Sequence, residues 1–278
     1  MLHTEGNFKG QKNFSLYYQG WLPEQIPRAI LIIVHGLAEH SGRYKNVVEY
    51  FVPKGYAVYG FDQRGHGRSE GARCYVDRFS DLITDLHTFV TMVRGFHPGT
   101  KLFMVGHSIG GTIATAYAIQ YQNELAGLVL SGAGLKAGDS ITPLMKLMAR
   151  VLSAILPKMG VSTIDASAIS KDKAVVDAYV NDPLVYRGKV SARLGSELLT
   201  MMDKYLPAKI PELKLPLLIM HGTIDHLMNK EGSALLYNTA SSTDKTLKFY
   251  EGYYHEIYNE PERLQVFSDV EAWLERHL

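Results

Sequence analysis

The chain has 278 residues, 46% hydrophobic and 21% charged, a globular balance that excludes a disordered or low-complexity protein and suffices for one large α/β domain or two small ones. A net charge of +1 gives no general attraction to nucleic acid, and the single cysteine, Cys74, excludes an intramolecular disulfide. MLHTEGNFKG lacks the apolar core of a signal peptide and no run reaches the ~18 uncharged apolar residues of a membrane span, so a cytoplasmic protein is expected.

NFSLYYQGWL alternates apolar and polar residues, which predicts an antiparallel edge strand. RAILIIVHG (28–36) is a β-branched run closed by glycine and reads as a buried strand. RYKNVVEYFVPKG has helical spacing and stops at Pro53 and Gly55. A second strand, YAVYGFD (56–62), leads into the glycine-rich QRGHGRSEGAR. No G-K-[ST] follows, so this is no phosphate-binding loop; it reads as a tight turn in which Asp62 and Arg64 anchor neighbouring loops. SDLITDLHTFVTMVRG predicts an amphipathic helix with Ser80 as N-cap. KLFMVGHS (101–108) is a third buried strand, IGGTIATAYAIQYQ a helix and LAGLVLSGAG (125–134) a fourth strand. From about 135 to 210 the sequence is helical and methionine-rich, with no strand-like run. Alternation resumes with LPLLIMHG (215–222) and KTLKFYEG as strands, KEGSALLYNTA and PERLQVFSDVEAWLERHL as helices. This order predicts a mostly parallel sheet covered on both faces, with a core of residues 1–134 and 206–278 and a helical cap of residues 135–205.

GHSIG (106–110) is Gly-x-Ser-x-Gly between a buried strand and a helix, the setting of a nucleophile elbow. So sharp a turn strains the backbone of Ser108, and the helix after it aims free N–H groups at the same point. A serine hydroxyl attacks only when a base takes its proton. His35, His66, His107 and His221 sit at strand ends or in turns, where packing or a loop hydrogen bond accounts for them. His255 follows the last strand, at the same carboxyl rim as Ser108, and is the expected base. Asp225, just after LPLLIM, is the expected acid holding its tautomer, and the order Ser–Asp–His is that of α/β-hydrolases. The backbone N–H groups of Leu37 and Ile109 are the expected oxyanion donors. His35, His40, His66, His221, His226 and His255 could crowd one rim around a metal. Without an H-E-x-x-H helix or a partner thiol for Cys74, no metal and no cofactor is expected.

HGLAEHSGRY, DQRGHGRSEG, GHSIGG, NDPL (181–184), HGTIDHL and YEGYYHE, in this order, resemble the monoacylglycerol lipases and related lysophospholipases of the α/β-hydrolase superfamily, from about residue 28 to the C-terminus. The resemblance implies the α/β-hydrolase fold with a helical cap, and the roles above for Ser108, Asp225, His255, Leu37 and Ile109. It also implies that Glu39, Arg43 and Tyr179 line the glycerol side of the pocket. For Glu39 and Arg43, a local salt bridge shaping the oxyanion loop is the competing reading. Ile109 stands where Met is usual, Tyr258 where animal members carry a second histidine, and the cysteines found near the site in animal enzymes are absent. The implied activity is hydrolysis of a monoacylglycerol to fatty acid and glycerol. A lysophospholipase or broad carboxylesterase is the alternative, and a non-catalytic binding protein a third reading.

LMKLMARVLSAILPKMG (144–160) places Lys146, Arg150 and Ser153 at i, i+4 and i+7, one narrow polar stripe on an apolar helix. It is too short and too charged to span a membrane, yet more apolar than one packing face requires. Leu147, Val151 and Leu152 are therefore expected to line an acyl channel, with methionines adapting to a flexible chain. Residues 132–210 hold eleven Lys/Arg against seven Asp/Glu, which favours resting on an anionic lipid surface. The expected partners are thus a small lipid ester and, peripherally through the cap, a membrane. The oligomeric state is not specified by any sequence feature.

Overall fold

The structure, a computed structural model, describes residues 1–138 and 141–278; positions 139 and 140 of the expected cap lie outside the described residues. The strands are β1 (Leu2–Lys9), β2 (Ser15–Leu22), β3 (Ala29–Val34), β4 (Tyr56–Phe61), β5 (Leu102–His107), β6 (Gly127–Ser131), β7 (Gly160–Ser162), β8 (Val190–Ser191), β9 (Leu217–Gly222) and β10 (Lys245–Tyr250). Eight of them form one sheet in the order β1-β2-β4-β3-β5-β6-β9-β10, parallel from β4 to β10, with β1 and β2 antiparallel at one end.

The β3 run AILIIV contains no polar residue because both of its faces are covered. Ile30, Ile32 and Val34 pack with Leu86, Phe89 and Val90 of α2 (Phe79–Phe96) and Ile113 and Tyr117 of α3 (Ile109–Tyr121). Ala29, Leu31 and Ile33 point the other way, toward Val47 and Phe51 of α1 (Lys45–Phe51) and Phe267 and Trp273 of α9 (Arg263–Glu275). The last parallel connection, β9 to β10, runs through α8 (Glu231–Thr239).

Between β6 and β9 the described residues add no strand to this sheet. They form α4 (Pro143–Ile155), α5 (Lys173–Asn181), α6 (Ala192–Thr200), one π-helical turn at Met201–Tyr205 and α7 (Leu206–Lys209). Thr142 caps α4 by accepting the Met145 N–H, and Pro143 at the first helical position lacks the N–H that would go unused there. Among the described residues no helix is long and apolar enough to cross a membrane.

Three expectations need correction. β2 is not the edge strand: β1 pairs along its whole length, from Leu2↔Leu22 to Lys9↔Ser15, because alternation reveals a half-buried strand without revealing whether its outer edge is paired. Ser80 does not cap α2, which starts one residue earlier with Arg78 as N-cap residue; the Phe79 N–H instead donates to the Glu197 carboxylate at 2.7 Å, from α6. Residues 135–210 do contain strand, since β7 and β8 pair antiparallel as a ribbon apart from the main sheet. Segments of three and two residues are too short to display a period.

Candidate active site

The chain passes from β3 to β4 on one side and returns to β5 on the other, so the loops leaving β3 and β5 diverge and open a crevice at the carboxyl end of the sheet. Val34 lies beside Gly106, His107 beside Ser131, and Gly222 beside Tyr250. The loops carrying Leu37, Ser108, Asp225 and His255 therefore leave the same rim.

Ser108, at the β5–α3 junction, is buried with φ 55° and ψ −125°, a backbone conformation that residues with a side chain rarely adopt. Two glycines permit the turn. A Cβ on Gly110 would stand 2.0 Å from the Val34 carbonyl oxygen, and one on Gly106 would stand 2.8 Å from the Ala114 methyl. The backbone is held from both sides: the Ser108 N–H donates to the Ser131 carbonyl, and the N–H groups of Gly111 and Gly134 donate to the Ser108 carbonyl, each at 3.0 Å. Ile109 opens α3, so its N–H has no acceptor within the helix. Leu37 sits in the turn after β3, just before Ala38, whose φ is 64°. Among the described residues nothing accepts from the Leu37 N–H.

Asp225 and His255 meet as expected, with His255 Nδ1 2.7 Å from Asp225 Oδ2. The N–H groups of Leu227 and Met228 donate to the other oxygen at 2.8 and 2.9 Å, and His221 Nε2 stands 3.0 Å from Oδ2. Burial opposes charge on Asp225, but the His255 imidazole and hydrogen bonds from His221 and His255 outweigh it and hold the carboxyl well below its usual range. With Asp225 ionised, Nδ1 carries the His255 proton and Nε2 is the basic nitrogen. Burial also disfavours charge on His255, yet Asp225 overcomes it and raises the imidazole above its ordinary value. His107, 4.6 Å from His255 between ring centres, is pushed down to about 4 by burial and by His255, and stays neutral at pH 7. A base must be neutral to accept a proton, so a raised value moves the acid limb of kcat/KM upward. A pH–rate profile on a water-soluble ester is expected to fall with decreasing pH through a limb above 6.5; a limb below that value would mean that Asp225 does not act on His255 as the geometry implies.

Ser108 and His255 line one cavity of about 250 Å³, together with Leu37, Glu39, Arg43, Tyr179 and Glu256. It shares Leu37, Ser162, Val190, Leu227 and Met228 with an open, mainly apolar trough of about 950 Å³. Leu147, Met148, Val151 and Leu152 of α4 line that trough together with Ile109, Leu198 and Met202.

Residues 25–262 match the family model Hydrolase_4, described as serine aminopeptidase, S33. The chain is also 38% identical over 275 residues to the monoacylglycerol lipase of Mycolicibacterium smegmatis, covering 99% of this chain and 98% of that one. The chain belongs to the monoacylglycerol lipase family of α/β-hydrolases. Human monoglyceride lipase is 36% identical over 271 residues, 96% of this chain and 88% of its own. The solved monoacylglycerol lipase of Paleococcus ferrophilus superposes with a TM-score of 0.85 at 31% identity, covering 95% of this chain and 99% of that one.

In this monoacylglycerol lipase family member, Glu39, Arg43 and Tyr179 do reach the cavity that holds Ser108, but they are engaged with one another. Arg43 bonds to Glu39 at 2.8 Å and lies 4.7 Å over the Tyr179 ring. Glu256, which sequence reasoning did not single out, takes two bonds from Arg43, at 2.6 and 2.8 Å. Its position directly after His255 is the one sequence signal that could have found it. Tyr258 does not line the cavity of Ser108; it borders a separate void of about 10 Å³ behind Arg43 and Glu256. The remaining histidines disperse. His35 accepts from the Gln63 N–H, His40 pairs with Asp182 at 2.9 Å, and His66 packs on His35. Asp62 accepts from Ser41 and the Arg68 N–H, and Arg64 grips Asp85, so both hold loops together.

The α4 helix is oriented opposite to an ordinary surface helix. Of its polar stripe, Ser153 is buried and Lys146 pairs with Asp203 at 2.7 Å, while Arg150 is exposed. Leu144, Met145, Leu147, Met148, Val151 and Ile155 are each at least half exposed.

Proposed function

We propose that the chain hydrolyses monoacylglycerols through Ser108, His255 and Asp225, with residues 135–205 acting as a cap over the site. The carrying observation is the paired cavity: a small chamber lined by Ser108, His255 and charged side chains shares five lining residues with a large apolar trough. That shape suits one aliphatic chain and one small hydroxylated headgroup. Neutral His255 takes the Ser108 proton as Oγ bonds to the ester carbonyl carbon, and the Leu37 and Ile109 N–H groups receive the oxyanion. Each such donor contributes about 3 kcal/mol to the transition state. The imidazolium, paired with Asp225, then protonates the departing glycerol oxygen, and water delivered by the same base releases the fatty acid.

Charge on the small cavity favours a glycerol headgroup over a phosphorylated one. Glu39 and Glu256 outnumber its one lining Lys or Arg, Arg43. A comparison of monoolein with an oleoyl lysophosphatidylcholine tests this directly, alongside labelling of Ser108 by a fluorophosphonate. Faster turnover of the phospholipid would make the enzyme a lysophospholipase, and no labelling would make it a binding protein.

The apolar face of α4 supports a second element of the proposal, a cytoplasmic enzyme that meets lipid through its cap. Replacing Leu147, Val151 and Leu152 with serine is expected to reduce kcat/KM for monoolein by about tenfold or more while a butyrate ester loses about twofold, because only the long chain reaches the trough. Equal losses on both esters would return this helix face to a purely structural role.

A further inference from the structure

Two loops meet at the serine. One carries the Leu37 donor, the other carries His255, and they arise from strands on opposite sides of β5. A continuous chain of charged hydrogen bonds joins them. The Gly36 N–H, one residue before Leu37, donates to Glu39 Oε1 at 2.6 Å, and the Tyr44 hydroxyl donates to the same oxygen at 2.9 Å. Glu39 Oε2 accepts from Arg43 at 2.8 Å. Arg43 then reaches Glu256 through two parallel bonds, and Asn259 donates to Glu256 Oε2 at 2.8 Å. Glu256 follows His255 directly and its own N–H is tied to the Ile169 carbonyl at 2.7 Å.

Each carboxylate oxygen of Glu39 and Glu256 already has a partner, and the Arg43 side chain is nearly buried between the two acids. Groups so committed are held in place by the protein itself, with Glu39 Oε1 and Glu256 Oε2 each already accepting two bonds. A two-pronged arginine–carboxylate pair fixes geometry in a way that single hydrogen bonds do not. We infer that Glu39, Arg43 and Glu256 form a positioning clamp that holds the oxyanion turn and the His255 loop in register across Ser108, rather than a binding site for the headgroup. The inference rests on the triad proposed above.

The two roles separate in kinetics. A headgroup contact acts only on substrates that have the headgroup, and its loss raises KM. Loss of a clamp displaces the donors and the base for any ester, and a misplacement near 1 Å costs up to about a hundredfold in rate. Glu256→Gln keeps one acceptor for Arg43 and loses the two-pronged ion pair. Its kcat is expected to fall by about tenfold or more on both monoolein and p-nitrophenyl butyrate, which has no glycerol, with the KM for monoolein within about twofold of wild type. Fluorophosphonate labelling of Ser108 should slow in parallel. Arg43→Lys, which retains the charge without the fork, should show the same pattern, and it serves as the test if Glu256→Gln fails to fold. A raised KM for monoolein with normal turnover of p-nitrophenyl butyrate in either variant would overturn the clamp in favour of headgroup binding. Unchanged kcat on both esters would overturn it outright. Failure of the underlying triad is read separately, as absence of Ser108 labelling in the wild-type protein.

Discussion

Ser108→Ala is expected to leave a folded protein whose ester hydrolysis falls by about 10⁶, the scale seen when a hydrolase loses its nucleophile. Folding should survive because the elbow is held by its backbone: Ser131, Gly111 and Gly134 bond to the main chain of residue 108, and alanine keeps the same Cβ at φ 55°. The strain of that conformation is already present with serine, so the substitution adds none. What disappears is Oγ, and with it the acyl-enzyme and the fluorophosphonate adduct. A residual rate of about 10³ over water should persist, because the Leu37 and Ile109 N–H groups and the apolar trough remain. The measurement is monoolein hydrolysis and probe labelling by the purified variant, beside its thermal melt. Turnover above about one per cent of wild type in a variant that melts normally would remove Ser108 from the role.

Asp225→Asn should lower kcat by about 10⁴ through a specific chain of tautomers. In the wild-type protein one carboxylate oxygen accepts from Leu227 and Met228, and the other faces His255 and His221. The backbone donors require the oxygen of an asparagine on their side, so its NH₂ must point at the two imidazoles. His255 Nδ1 then has to accept, which moves its proton to Nε2, and the nitrogen that should take the serine proton is no longer basic. His221 faces the same constraint, with its Nδ1 already 2.8 Å from the Ser233 hydroxyl. Loss of a carboxylate that His255 and His221 hold ionised should also lower the melting temperature. If kcat stayed near wild type, another carboxylate would have to serve. Asp182 is poorly placed for that, because it is bonded to His40.

Much of the site was legible because catalytic parts of this kind occupy short runs at strand ends. GHSIG carries a requirement that only glycine meets, since a Cβ at residue 110 would overlap the Val34 carbonyl. HGTIDHL follows the buried apolar strand β9 and GYYHE follows β10, the half-exposed last strand of the sheet, and parallel strands deliver their ends to one rim. The 144–160 segment was legible for a related reason, its excess of apolar residues over what one packing face uses. Its orientation was not. A helical wheel reports which residues share a side, but not that Ser153 is buried and Lys146 meets Asp203 while the neighbouring Leu147, Met148 and Val151 stay exposed.

The sequence by itself determined the β/α order of the parallel core, the glycine-flanked elbow and the three residues proposed as the triad, because each is encoded within a few consecutive positions. Only the tertiary structure decided three other matters. It placed β1 outside β2, it closed the start of α2 with Glu197, and it spent the polar groups of Glu39 and Arg43 on Glu256 and the Gly36 N–H. The Phe79–Glu197 and Arg43–Glu256 pairs each join residues more than a hundred positions apart, where no local pattern records which partner a buried charge or an unpaired N–H has found.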